Sequence, residues 1–296
     1  MKTERALKNK NKSLLIANLL SWVPSKIYLK VLFKFKTGQK LNLKNPKGFN
    51  EKLNWLKLNN KNDALSDYVD KIKAREIVKS KIGDKYLIPT YGSWSSFDEI
   101  DFNQLPNSFV LKCNHDSGSA KVIKDKTQLT ENDFKELSKF YKNRLKKNMY
   151  NFAREYPYLK VKPMIFAEKL MVDESNIELK DYKFFCFKGE PKLYFVASNR
   201  GVDTRFDFYD MNNNHLDVYN THKNADHPVV GKPPFFDEMV KIASQLSESF
   251  PFIRIDLYST NKGVFFGEYT FFHCGGLYSF KPQSWEEKLG DYISLK

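Results

Sequence analysis

Two carboxylates, Asp256 and Glu268, stand in the stretch RIDLYSTNKGVFFGEYTFFHCGG (residues 254–276), which is otherwise rich in β-branched and aromatic residues. Two strand-like runs, 252–259 and 264–272, flank Asn261-Lys262-Gly263. A three-residue hairpin loop ends on a left-handed residue, usually glycine, and Gly263 holds that position. Closing the loop between Thr260 and Val264 predicts that Asp256 faces Glu268, Arg254 faces Thr270 and Tyr258 faces Phe266. Alternation then puts Ile253, Ile255, Leu257, Phe265, Tyr269 and Phe271 on the opposite, core-facing side. Slipping the pairing by one residue would send the two acids to opposite faces. Like charges directly across a ladder lie with Cβ atoms roughly 5 Å apart and repel. A divalent cation offsets that repulsion, and Mg²⁺ is commonly held by one or two carboxylates together with substrate phosphates. An ordinary wet sheet face is the other reading, with Arg254 neutralising one acid and solvent the other.

Lys112 interrupts an apolar strand just before CNHDSGSAK. A lysine on a strand beside a small-residue Ser117-Gly118-Ser119 loop suits phosphate, because loop N–H groups wrap oxygens and the ammonium adds a point charge. It also suits a plain Ser-Gly hairpin, and no G-x-x-x-x-G-K-[ST] motif is present. The run IFAEKLM could present backbone groups and the Glu168 carboxylate to an adenine edge, or simply be an edge strand entering solvent. His115 follows the Lys112 strand and could touch a phosphate or serve the loop. His222 and His227 have no metal-binding spacing. There is no G-x-S-x-G elbow, and no Asp-x-Asp lies in an apolar frame. Arginine is scarce, seven against 42 lysines. Arginine grips planar anions better than lysine, so Arg75, Arg200, Arg205 and Arg254 draw attention.

The elements that must position these groups are legible as blocks. FNEKLNWLKLNN predicts a helix with Phe49, Leu53 and Leu56 on one face, and DYVDKIKAREIVKSKIG predicts a single second helix stopping at Gly83. YLIPTYGSW, LPNSFVLKCN and KVIKD read as strands, followed by a charged helix at about 131–147. PMIFAEKLM, DYKFFCFKGEPKLYFVASNR and RFDFYDMNN are strand-rich, with a Gly-Glu-Pro turn, and a helix at about 235–249 precedes the hairpin. Helices and mainly antiparallel strands in blocks predict an α+β fold.

A chain of 296 residues with 41% hydrophobic and 15% aromatic content can bury a sizeable core, which excludes a disordered chain. The cysteines Cys113, Cys186 and Cys274 are odd in number and widely spaced, so a disulfide framework or metal cluster is not expected. Ten of the Lys/Arg residues and a single Glu fall in residues 1–40, so much of the net charge of +14 is N-terminal. The run from Leu14 to Val23 in SLLIANLLSWVPSKIYLKVLF is too short to span a bilayer and Pro24 interrupts it, leaving an interfacial helix or a solubilising tail. No A-x-A-like cleavage site follows it.

The order of VDKIKAREIVKSKIG, FVLKCNHDSGSAKVI, IFAEKLM and RIDLY…GVFFGEYTF resembles the ATP-grasp superfamily. FNEKLNWLK, LKCNHDSGS, LKDYKFFCFKGEPK and FGEYTFF…GG bring it nearer to the TupA-like ATP-grasp proteins of teichuronopeptide and surface-polysaccharide synthesis. The resemblance implies an ATP-grasp fold in which two α+β lobes grip ATP, behind a helical N-terminal lead-in. The basic segment would be residues 1–46 and the ATP-grasp domain 47–296, with lobes at about 85–165 and 166–296. Lys71 or Arg75, with Lys112 and the Ser117, Gly118 and Ser119 loop, would hold the phosphates. Glu168, Lys169, Leu170 and Met171 would form the adenine hinge, and Asp181 or Lys183 would reach the ribose or γ-phosphate. Asp256 and Glu268 would carry Mg²⁺. An asparagine often follows two residues after the metal-binding glutamate in such sites; here Thr270, a weaker ligand, stands there. His273-Cys274-Gly275-Gly276 also replaces the Pro-Gly segment usual in close relatives.

The implied chemistry is carboxylate activation: a substrate carboxylate attacks the γ-phosphate, and an amine then displaces phosphate from the acyl phosphate. Arg254, Arg205 and Lys183 would stabilise the transferring group. The expected enzyme is a carboxylate–amine ligase joining an amino acid or amine to a carboxylate-bearing cell-surface glycan or its precursor. It would work in the cytoplasm, at the inner membrane face if the basic N-terminus docks there. A glycosyltransferase of the same pathway, using Mg²⁺–sugar nucleotide, is the runner-up. A nucleic-acid binder would show a steep salt dependence and tolerate loss of Asp256, and nucleic acid is not the expected partner.

Overall fold

The computed structural model describes residues 16–172, 179–198, 203–225 and 232–295. Arg200 and His227 lie outside the described residues, as do residues 1–15 of the basic N-terminal segment.

Two antiparallel sheets organise the chain. The first has the order β1-β4-β2-β3, built from Thr90–Trp94 (β1), Phe109–Cys113 (β2), Lys121–Ile123 (β3) and Ile165–Lys169 (β4). The second has the order β10-β9-β5-β6-β7-β8, from Asp181–Phe187 (β5), Glu190–Ser198 (β6), Arg205–Asp210 (β7), His215–Leu216 (β8), Ile253–Thr260 (β9) and Gly263–Thr270 (β10). The first sheet therefore ends at Lys169, and a lobe boundary at 165/166 would fall at the first residue of β4.

The helices are α1 (Ser25–Thr37), α2 (Phe49–Asn59), α3 (Leu65–Val69), α4 (Lys73–Ile82), α5 (Glu131–Leu145), α6 (Met149–Ala153), α7 (Phe236–Ser247) and α8 (Ser284–Asp291). The α+β expectation is met. The one helix predicted over 67–83 is instead two, α3 and α4, separated at Asp70-Lys71-Ile72. The Asp70 carboxylate accepts from Ile72 N at 2.9 Å and Lys73 N at 3.4 Å, and so caps a new helix in place of continuing the old one. α1 likewise starts directly after Pro24, whose fixed φ of −52° suits a helix entrance. The turn between β5 and β6 is Lys188-Gly189, both at positive φ, and not Gly-Glu-Pro; Glu190 and Pro191 already belong to β6.

The second sheet carries the larger core. One face, with Tyr182, Phe184, Ile255 and Leu257, packs beneath the apolar stripe Phe236, Met239, Ile242, Ala243 and Leu246 of α7. The other face is divided. At one end Phe185, Phe195 and Phe208 pack against Phe49 of α2 and against Phe280, with Phe49–Phe185 centroids 6.0 Å apart and Phe208–Phe280 5.9 Å. At the other end the same face turns polar. The first sheet has its own core, Phe109, Leu111, Cys113, Ile165 and Ala167 against Leu137 and Tyr141 of α5.

Candidate active site

Strand alternation assembles the polar end. Asp256 pairs with Glu268 on β10 and with Lys183 on β5, making one row across three strands. The row on one side holds Thr270, Arg254 and Phe185, and the row on the other holds Tyr258 and Asp181, all directed to the same face. The Asp256–Glu268 and Arg254–Thr270 pairings are as the sequence predicts. The hairpin tip is not: Gly263 pairs with Thr260 across a two-residue Asn261-Lys262 loop, and Tyr258 pairs with Phe265. That tip is one residue out of the expected register. A bulge at Gly267 takes up the extra residue and returns Glu268 to its place opposite Asp256. A Cβ on Gly267 would lie 3.0 Å from the Asp256 carbonyl oxygen and 3.2 Å from the Tyr258 ring, so any larger residue would have to push a neighbour aside.

The acids are matched by cations. Arg254 donates from Nε to Asp256 Oδ1 at 2.6 Å and from Nη2 to Oδ2 at 2.8 Å, a bidentate grip. Nη2 also reaches Thr270 Oγ1 at 3.0 Å and Glu268 Oε1 at 3.4 Å, and Nη1 meets His273 Nδ1 at 2.9 Å. Among the described residues these contacts engage four of the five guanidinium N–H groups. Lys183 bridges Asp256 and Asp181, the latter at 2.6 Å. Lys71 lies 3.3 Å from Glu268 Oε2 and donates to the Asp116 carbonyl at 2.8 Å. Burial alone would raise the Glu268 carboxyl, but Lys71, Lys183 and Arg254 outweigh it and hold the pKa down at about 2. Burial pushes Asp256 up, with Arg254 and Lys183 opposing. His273 is held neutral: burial pushes it well below its ordinary value, with Arg254 adding to the effect, and Nδ1 must accept because a guanidinium only donates.

Lys71 is the hinge between the two sheets. It precedes α4, whose Ala74 and Val78 join the core of the second sheet, while Lys71 N donates to Asn114 O in the loop after β2. Arg75, on the same helix, is half-buried close to Glu168; burial lowers its pKa and Glu168 opposes that. On the first sheet Lys112 and Glu168 form an ion pair. The Glu168 carboxylate thus turns to Lys112; Lys169 is exposed, its N–H donating to Pro89 O at 2.9 Å, and Leu170 and Met171 lead out of the sheet. In the β2–β3 loop, Ser117 and Gly118 are exposed, with Gly118 at φ 79°. Ser119 is buried, its hydroxyl accepting from Cys113 N at 2.9 Å, and so ties the loop down. Arg205 is not brought to the cluster. Its neighbour Phe206 shares the face of Phe195, so Arg205 points the other way, engaged by Asp203 at 2.7 Å and the Asn224 carbonyl at 3.1 Å.

Several site-building residues escaped the sequence reading. Asn50, Asn54 and Lys57 form a buried polar stripe on α2, at helical spacing beside the apolar one. They donate to the carbonyls of Tyr278 at 2.9 Å, Gly276 at 2.6 Å and Gly275 at 2.5 Å. This holds a left-handed turn in the His273-Cys274-Gly275-Gly276 segment, with Cys274, Gly275 and Gly276 all at positive φ. Burial lowers the Lys57 pKa and raises that of Glu155, each opposed by the charge of the other. Burial also pushes the Cys274 thiol up to about 11, so it is no nucleophile. Asp116 and Arg144 form a buried pair at 2.5 Å beneath the phosphate-loop candidate, and Arg144 Nη2 donates to Ser117 O at 2.6 Å. The signal was the polar spacing in α2 and, for Arg144, a lone arginine in a lysine-rich helix.

Asp181, Asp256 and Glu268 offer hard oxygen donors to a metal, with Thr270 Oγ1 beside them. Among the described residues no group of three or more His, Cys, Asp or Glu forms a ready metal cage. The donor set fits an ion such as Mg²⁺ that keeps water and takes phosphate oxygens to complete its coordination.

No curated protein matches the sequence. Solved structures that resemble it include D-alanine–D-alanine ligase from Bacillus anthracis complexed with ATP (14% identity, 70% of this chain and 55% of that one, TM-score 0.40). Another is the ATP-grasp ligase PsnB with minimal precursor, Mg and ADP (9%, 75% and 57%, TM-score 0.40). N5-carboxyaminoimidazole ribonucleotide synthetase from Thermus thermophilus is a third (10%, 70% and 46%, TM-score 0.40). The chain spans about half the length of these proteins. Residues 51–294 match the TupA-like ATPgrasp family, which takes in both sheets and every residue of the cluster. The chain belongs to the TupA-like ATP-grasp family.

Proposed function

We propose that the protein is an ATP-dependent carboxylate–amine ligase that attaches an amino acid or amine to a carboxylate-bearing cell-surface polysaccharide or its precursor. The observation that carries the chemistry is the opposed Asp256–Glu268 pair, held with Lys183, Arg254 and Lys71 at the junction of the two sheets. Family membership supports the enzyme class; the surface-polysaccharide setting is our reading from the resemblance of the sequence motifs. We place the lobe boundary between Lys169 and Asp181, where the sheets divide.

Bound Mg²⁺ would supply charge neutralisation on the β- and γ-phosphates. The protein's own contribution is positional. Lys71 and Lys183, flexible cations now resting on carboxylates, would turn to phosphate oxygens once a metal takes the acids. Lys112 and the Ser117-Gly118 tip would cover the phosphates from the first sheet, and Leu170 and Met171 would flank the adenine. Arg254 serves mainly to hold Asp256, with its remaining Nη1 hydrogen aimed at the reacting group. Arg205, on the far face, would act only on a ligand reaching round the β7 end. The substrate carboxylate attacks the γ-phosphorus and ADP leaves; the amine then attacks the acyl carbon, phosphate leaves, and the amine gives up a proton. No protein nucleophile is needed, in keeping with the protonated Cys274 thiol.

Hydroxylamine replaces the unknown amine in the test. With uronic-acid oligosaccharides, Mg²⁺ and ATP, the protein should release ADP and phosphate and form a hydroxamate. Consumption of sugar nucleotide without any use of ATP would establish the glycosyltransferase reading instead.

A further inference from the structure

Seven of the protein's large exposed apolar side chains crowd into residues 16–35: Ile16, Leu19, Leu20, Trp22, Ile27, Val31 and Phe35. Trp22 is 80% exposed, Val31 65% and Phe35 81%. Ile27, Val31 and Phe35 recur every four residues and form one stripe along α1, a helix about 20 Å long. The opposite stripe, Tyr28, Leu29 and Phe33, is buried on the body of the protein, so the exposed one is not spare core. Exposed Lys26, Lys30 and Lys34 run directly beside it. No acidic residue occurs between Glu4 and Glu51, and the described part of that span carries seven lysines.

We propose that this stripe docks α1 flat on an anionic lipid surface, with Trp22, Ile27, Val31 and Phe35 entering the headgroup boundary and the lysines meeting lipid phosphates. Apolar side chains beside an all-basic flank are the signature of an interfacial helix. Two copies of the chain packing stripe to stripe would bring like-charged lysine rows together, which disfavours self-association through this face. No helix among the described residues is long and apolar enough to cross a membrane, so the helix would lie on the surface.

The docking element is rigidly joined to the candidate site. Arg154, buried and left-handed at φ 54°, donates to the Leu20 carbonyl at 2.7 Å and stacks on Tyr28 at 4.2 Å. Leu29 and Phe33 share a core with Ala153 and Leu277, which adjoin Glu155 and the Gly275-Gly276 turn. Docking would therefore hold the Glu155–Gly275 end of the junction close to the lipid. This last point rests on the ligase reading; the docking itself does not.

The full-length protein would be sedimented with vesicles of phosphatidylcholine, alone or containing phosphatidylglycerol. Binding is expected only with the anionic vesicles, reversed by high salt. It should weaken about tenfold or more in Lys26→Gln/Lys30→Gln/Lys34→Gln. It should be lost in Trp22→Ser/Val31→Ser/Phe35→Ser, whose exposed sites leave the melting temperature unchanged. No binding by the wild type, undiminished binding by the serine variant, or a stripe-dependent dimer in place of vesicle binding would overturn the proposal. Because ATP binding is measured without lipid, failure here leaves the ligase reading standing.

Discussion

Asp256 and Glu268 face each other across a ladder, an arrangement that would repel without the three cations that surround it. The protein meets that cost with Arg254 on both oxygens of Asp256, Lys183 bridging to Asp181, and Lys71 on Glu268. Glu268 is thereby kept charged, while at Asp256 burial pushes the carboxyl up against the pull of Arg254 and Lys183. Glu268 has its folded pKa depressed from 4.5 to about 2, so it contributes stability that is fully present above about pH 4.5 and is lost as pH falls toward 2. Denaturant titrations should find Glu268→Gln less stable than wild type at neutral pH by a constant margin, which closes between pH 4.5 and 2. A margin unchanged through that window would show that the three cations do not hold Glu268.

The elements position the acids through one feature that hydrophobic pattern does not reveal. Alternation of apolar and polar residues gave the correct Asp256–Glu268 and Arg254–Thr270 pairing, yet from a three-residue loop that does not exist. The loop has two residues, and the Gly267 bulge makes up the difference. Gly267→Ala should cost about 1–3 kcal/mol, because its Cβ has no room against the Asp256 carbonyl. It should also weaken Mg²⁺-dependent nucleotide binding by displacing Glu268. Paired urea melts and calorimetry would check both, and a variant with wild-type stability and binding would mean the bulge is not needed. The strands and most helices were legible because each has a clean period of two or near 3.6. The split of residues 67–83 was not, since the apolar spacing continues across Asp70 and only the carboxylate's bonds to Ile72 and Lys73 break it. The buried Asn50, Asn54 and Lys57 stripe was equally hidden, because polar residues on a helix read as solvent-facing until a partner backbone is placed against them.

At the scale of the whole molecule, function depends on bringing two separately cored sheets to one junction. Lys71 contacts the loop after β2 and Glu268 on β10, a convergence of distant segments that no local pattern encodes. The order of motifs along the chain was legible and pointed to the ATP-grasp fold. Which cation rests on which acid, and that Arg205 lies on the far face of its sheet, required the topology. The central claim is that the Asp256–Glu268 pair receives a metal–nucleotide at this junction. Calorimetry of ATP binding, with and without Mg²⁺, tests it on wild type, Glu268→Gln and Asp256→Asn/Glu268→Gln, with folding of each checked by circular dichroism. Glu268→Gln provides a readout if the double variant, which leaves Arg254 without a carboxylate partner and Lys183 with Asp181 alone, does not fold. The account predicts Mg²⁺-dependent binding by the wild type that weakens by about a hundredfold or more in the folded variants. Undiminished binding in those variants, or no ATP binding by the folded wild type, would contradict it.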